Sequence, residues 1–147
     1  MRIKTVLYPL ALAALLGANA AIADDDPGHV RHELMEDVRD AAKPVGQMLR
    51  GEAEFDSATL MNTLGVFQDA AAQLGDLFPD GSEGGEAAPA IWEDRAGFDA
   101  AIVKWQEVVG VAIEANPQSL DDAKPVVGPI FQACKGCHDD YRIEEEE

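Results

Sequence analysis

The sequence predicts an all-α protein, a bundle of four helices, from three observations. Four segments carry apolar residues at three- and four-residue steps, the repeat of one helix face. No run alternates in the manner of a half-buried strand, while Ala and Leu, both strong helix formers, are abundant. The segments are separated by stretches rich in Gly, Pro, Asp and Ser, which favour turns and helix caps.

The bundle starts only after an N-terminal segment of a different kind. Arg2 and Lys4 are followed by the apolar run Val6 to Leu16, broken only by Tyr8 and Pro9, and then by small residues ending in Ala21-Ile22-Ala23. This is the pattern of a secretory signal peptide over residues 1–23 with an A-x-A cleavage site. An uncleaved anchor is the alternative, but the apolar run is short for a bilayer and no second one follows. The expected mature chain is one domain, residues 24–147, long enough to bury a core.

The first helix is expected from Asp26-Pro27, an N-cap followed by proline at the first helical position. Val30, Leu34, Val38, Ala41, Val45 and Met48 form its stripe, with a kink at Pro44 and an end near Arg50-Gly51. The second, capped by Asp56 or Ser57, carries Leu60, Leu64, Phe67, Ala71 and Leu74 and stops by Phe78-Pro79. Residues 80–86 read as a loop that crosses the end of the bundle. The third helix runs from about Ala90 to Ala115, with Phe98, Ile102, Trp105, Val109 and Ala112 on one face and Asn116-Pro117 as its stop. Trp92 and Trp105 read as core. The fourth is capped by Ser119, is weakened in its first turns by Pro125 and Pro129, and carries Ile130, Cys134, Cys137, His138 and Tyr141 before Arg142.

Charge narrows the partners. The whole chain has 11 basic and 28 acidic residues. Removing residues 1–23 takes away two basic residues and no acidic one, leaving a balance of −19. Such a surface repels nucleic acid and anionic lipid and suits basic partner proteins or plain solubility. The run Glu144–Glu147 reads as a solvated tail.

The chemistry lies in Cys134-Lys135-Gly136-Cys137-His138. This is C-x-x-C-H, the attachment signature of c-type haem. At about 100° per residue the two thiols and the imidazole fall within about 100° of helix arc. Two thiols can then meet the two vinyl groups of one haem while His138 reaches the iron. Three other readings compete. A structural zinc site needs a fourth ligand, which His29 or His32 would have to supply. A thiol oxidoreductase would sit beside a βαβ pattern, which the chain lacks. A plain disulfide leaves His138 unexplained.

The whole mature stretch resembles the cytochrome c′ family, the class II c-type cytochromes. The resemblance is carried by residues 134–142, by Leu77-Phe78-Pro79-Asp80-Gly81-Ser82 and Ile91-Trp92-Glu93, which look like the low-spin members, and by Arg31 followed four residues later by Met35. It implies an antiparallel four-helix bundle enclosing one covalently attached haem c, with His138 as axial iron ligand and the first helix over the distal face. Met35 stands where low-spin relatives place a sixth iron ligand. Arg31 stands where family members place a basic residue near a haem propionate. His32 occupies a position where the family often has glutamine, and it can meet a propionate or compete for iron. Arg142 is a further candidate cofactor contact.

The function expected is that of a periplasmic one-electron carrier, exported and soluble, working with redox partner proteins. Binding of NO or CO at an open sixth position is the alternative. No nucleophile–base pair marks an enzyme. The resemblance also implies a homodimer through the first two helices.

Overall fold

The structure, a computed structural model, describes residues 26–143. The signal peptide read over residues 1–23, the start expected at Asp24 and the Glu144–Glu147 tail lie outside the described residues.

α1 (Pro27–Leu49) starts where the sequence places it, with the Asp26 carboxylate accepting from the Gly28 N–H at 3.2 Å and Pro27 in the first turn. It continues through Pro44 without a break. The proline has no N–H to donate to the Asp40 carbonyl. Close by, the buried Thr63 hydroxyl of the second helix donates to the Ala41 carbonyl at 2.9 Å and ties the two helices together. α1 ends in a Schellman turn. Gly51 takes a φ of 75°, its N–H bonds to Met48 O, and the Glu52 N–H bonds to Gln47 O.

α2 (Ser57–Leu74) is capped by Asp56, which settles the choice between Asp56 and Ser57. It runs into a 3-10 turn over Gly75–Leu77. The helix expected from Ala90 to Ala115 is instead two, α3 (Ala90–Glu93) and α4 (Arg95–Ala115). Asp94 separates them, because its carboxylate accepts from the Gly97 N–H at 3.1 Å and its backbone leaves the helical region to do so. α4 stops at Asn116 in the left-handed conformation, immediately before Pro117. α5 (Leu120–Tyr141) is capped by Ser119 and runs through both prolines.

The four long helices pack as an antiparallel bundle, α1 on α2, α2 on α4 and α4 on α5. Leu60, Leu64 and Phe67 of α2, Phe98 and Val109 of α4, and Val127 and Ile130 of α5 are fully buried at its centre. Trp105 is buried as expected, its ring 6.2 Å from Phe67. Trp92 is only half-buried, since its Nε1 donates to Pro79 O at 3.1 Å at the edge of the core. No helix among the described residues is long and apolar enough to cross a membrane.

Candidate functional site

The last turns of α5 change character. Its inward side is aliphatic as far as Ile130, and Cys134, Cys137 and His138 then follow on neighbouring turns. Cys134 and Cys137 are half-buried free thiols, and His138 is exposed. Burial, with Cys137 nearby, pushes the Cys134 thiol up to about 11. Burial and the neighbouring Asp140 carboxylate raise Cys137 as well. At His138 partial burial, reinforced by Arg142, lowers the basicity of the imidazole against the opposing pull of Glu86 and Asp139. Burial thus disfavours the thiolate at both cysteines and the imidazolium at His138.

Cys137 and His138 line a cavity of about 450 Å³ at one end of the bundle. α1 supplies another part of its wall with Gly28, Arg31, His32 and Met35. Met35 is half-buried and also packs against the core. Leu74, Phe78, Ile91, Phe98 and Tyr141 provide an apolar floor. Its rings meet edge to face, Phe78 on Phe98 at 4.8 Å and Phe98 on Tyr141 at 5.3 Å, an arrangement that favours a rigid surface. The Tyr141 hydroxyl donates to Asp94 at 3.4 Å, and a Cβ at Gly97 would collide with both groups. A side chain at position 97 would push the Asp94 carboxylate and the Tyr141 hydroxyl out of place.

The structure thus brings Arg31, His32, Met35, Cys137, His138 and Arg142 to one cavity. Cys134 lies one turn back on α5, packed against the core beside it. His32 is exposed, with Nε2 3.8 Å from Glu36. His29 pairs with Glu33 at 3.3 Å and is not part of the wall. Arg142 is exposed and its Nε lies 3.0 Å from Glu86. Arg31 differs from the other polar candidates in being buried, with its guanidinium turned to the chain's own carbonyls.

Sequence reasoning missed the rim made by Gly84, Gly85, Glu86 and Ala87. The adjacent glycines were the available signal, and both take positive φ, 130° and 61°. Phe78 and Phe98 were legible as apolar positions but not as a cavity floor. The donor set is two thiols, an imidazole and a thioether around an apolar recess. That combination suits a flat apolar macrocycle with a central transition metal better than a closed zinc site. Among the described residues no three His, Cys, Asp or Glu side chains cluster as a metal site of their own.

Comparison with known proteins points the same way. The family model described as Cytochrome C′ matches residues 26–142. Cytochrome c′ of Rhodopseudomonas palustris is 35% identical over 147 residues, which span 97% of this chain and 99% of that one. Its solved structure superimposes with a TM-score of 0.78 at 34% identity, covering 82% of this chain and 98% of the other. Cytochrome c-556 of the same organism is 31% identical, with 97% and 99% covered. The nitric oxide complex of a variant cytochrome c prime from Alcaligenes xylosoxidans is similar at a TM-score of 0.73 and 26% identity, over 80% and 94% of the two chains.

Proposed function

The chain belongs to the cytochrome c′ family, whose cofactor is covalent haem c, and from that premise we propose that it is a one-electron carrier of the periplasm. The observation that carries this reading is the placement of Met35 of α1 and His138 of α5 on walls of one apolar cavity. The residues present fit the group. Cys134 and Cys137 would hold it through thioether bonds, and His138 and Met35 would be the side chains offered to its iron. Bound haem supplies a one-electron Fe(III)/Fe(II) couple. The protein's part is to keep His138 neutral, so that its lone pair is free for the metal, and to present a soft thioether from the distal wall. His and Met together raise the potential. A coordination sphere closed by two protein side chains has little to rearrange when an electron arrives. Leu74, Phe78, Ile91 and Phe98 exclude water around it.

The protonated thiols oppose the thiol-oxidoreductase reading, because such enzymes depend on a lowered thiol pKa. Export to the periplasm before attachment, and a dimer through α1 and α2, belong to the same proposal. Binding of NO or CO is the second reading, favoured by the nitric oxide complex of the Alcaligenes relative. It requires that Met35 leave the sixth position open.

Absorption spectra of the oxidised and reduced protein decide between the two. The carrier reading expects haem that acid-acetone cannot extract and a low-spin spectrum that turns high-spin in Met35→Ala. If Met35 occupies the site nine-tenths of the time, its removal strengthens apparent CO binding about tenfold. A wild-type protein already high-spin, with CO binding indifferent to the substitution, rejects Met35 as ligand and selects gas binding.

A further inference from the structure

The third wall of the cavity belongs to neither the distal nor the proximal helix. It is the connection between α2 and α3, and it is fastened at both ends. At one end Arg31 of α1 is 7% exposed. Its Nη1 donates to Leu77 O at 3.1 Å and to Ser82 Oγ at 3.2 Å, and its Nη2 to Ser82 O at 3.0 Å and Gly84 O at 3.3 Å. The guanidinium carbon also sits 4.8 Å over the Phe78 ring. At the other end Ala88 N–H donates to Tyr141 O at 3.0 Å and Ile143 N–H to Glu86 O at 2.8 Å, with the exposed Glu86–Arg142 pair alongside. Residues 82–88 therefore form a strap from α1 to α5. Its anchors fall one turn from each candidate axial residue, Arg31 four before Met35 and Arg142 four after His138.

We infer that Arg31 is a positioning residue, which clasps this strap and so fixes the distal helix against the proximal one. A guanidinium has five N–H groups, and the four on the terminal nitrogens of Arg31 are already matched by four acceptors. Turning them away would strip the half-buried Leu77 and Ser82 carbonyls and the exposed Gly84 carbonyl of their donors and release the strap. The fork geometry matters as much as the charge. Lysine offers a point charge with three donors and cannot span Leu77, Ser82 and Gly84 together. The consequence for coordination rests on the proposed axial role of Met35 and His138, whereas the clasp itself does not.

The test uses the haem-loaded protein, with Arg31→Lys, Arg31→Ala and Met35→Ala. Amide hydrogen exchange across 84–88 and at Ile143 reports the strap. The spin state and the CO association rate of the reduced form report the distal side. A lost charge-assisted hydrogen bond corresponds to roughly a tenfold effect. Arg31→Lys should therefore speed strap exchange about tenfold and raise the CO rate with it, and Arg31→Ala should do more. Met35→Ala should raise the CO rate and leave strap exchange unchanged. Strap exchange unaltered by Arg31→Lys overturns the clasp. Faster strap exchange with unaltered spin state and CO rate overturns the positioning role. If the wild-type protein is high-spin and indifferent to Met35→Ala, the carrier reading fails and the positioning of Met35 fails with it, while strap exchange still reads the clasp separately. Should the Arg31 variants not accumulate, Glu86→Gln loosens the strap from its other end. It should speed exchange at Ile143 and raise the CO rate by a smaller factor, and no change in either counts against the strap.

Discussion

The two ends of this bundle are built on opposite plans, and the methionines of α1 mark the difference. Met48 lies at the closed end, buried among Val45, Leu60, Ala123 and Val127, where no space remains for a water molecule. Its sulfur is engaged by the Asp56 N–H at 3.1 Å. Met35, on the same helix, borders a cavity of about 450 Å³. The closed end is fastened mainly by local devices, the Gly51 turn, the Asp56 and Ser119 caps and the left-handed Asn116, with one long-range tie where the Ser57 hydroxyl donates to Pro117 O at 2.7 Å. The open end is fastened by bonds between distant residues, with Arg31 reaching 46 to 53 positions along the chain. One end is made to be full and the other to stay open around a guest. Only long-range ties can hold an empty space at fixed width, because no packing fills it.

This contrast can be broken at either end. The largest effect is expected from His138→Ala at the open end. It should abolish native coordination and most of the stable holoprotein, as read from the absorption spectrum and the yield of haem-loaded chain, and an unchanged spectrum would remove His138 as the axial ligand. Next is Phe67→Ala at the centre of the filled core, expected to cost about 3–5 kcal/mol of stability in urea unfolding. Phe67 does not border the cavity, so the haem spectrum of this variant should match the wild type. A shifted spectrum would show that the two ends are not independent.

The smallest effect concerns the Asp56 cap. Its carboxyl is held below the usual aspartate range, first by the Thr59 hydroxyl and then by the Ala58 N–H. A depressed folded pKa means that the cap's contribution is fully present above the unfolded value of about 3.9 and is lost as pH falls through the lowered folded value. Asn caps helices well and does not titrate. Asp56→Asn should therefore match the wild type at pH 7 and lose less stability on acidification to pH 3, as seen in thermal midpoints at the two pH values. Equal losses in both proteins would remove the cap from the acid response.

What was legible in the sequence divides along the same line. The closed end could be read residue by residue, because Arg50-Gly51, Asn116-Pro117 and Ser119 act on their immediate neighbours, as Asp26-Pro27 does at the open end. The fold class followed from the stripes, and the C-x-x-C-H motif named its own cofactor through its spacing. Asp94 was harder. Its side chain competes with the helix for a backbone N–H, and nothing in the periodicity of residues 90–115 shows which side wins. Arg31 was the hardest, because its acceptors are backbone carbonyls of a loop that carries no pattern, brought within reach only by the bundle. Resemblance placed Arg31 where the family has a basic residue near a haem propionate, and the fold shows that its guanidinium also holds the strap.

The strap also carries a message about the order in which the molecule is made. Its far anchors, Tyr141 O and the Ile143 N–H, come after every other helix in the chain. A ribosome delivers the N-terminal part first. α1 and α2 can pair through Thr63 and Ala41 well before the end of α5 exists. Arg31 can reach its carbonyls at that stage too, so the strap can be tied to α1 before it is tied to α5. The attachment motif sits on the late segment, a few residues before that final fastening. In chain order, then, the contents and the latch come together at the end, and the hinge comes at the outset.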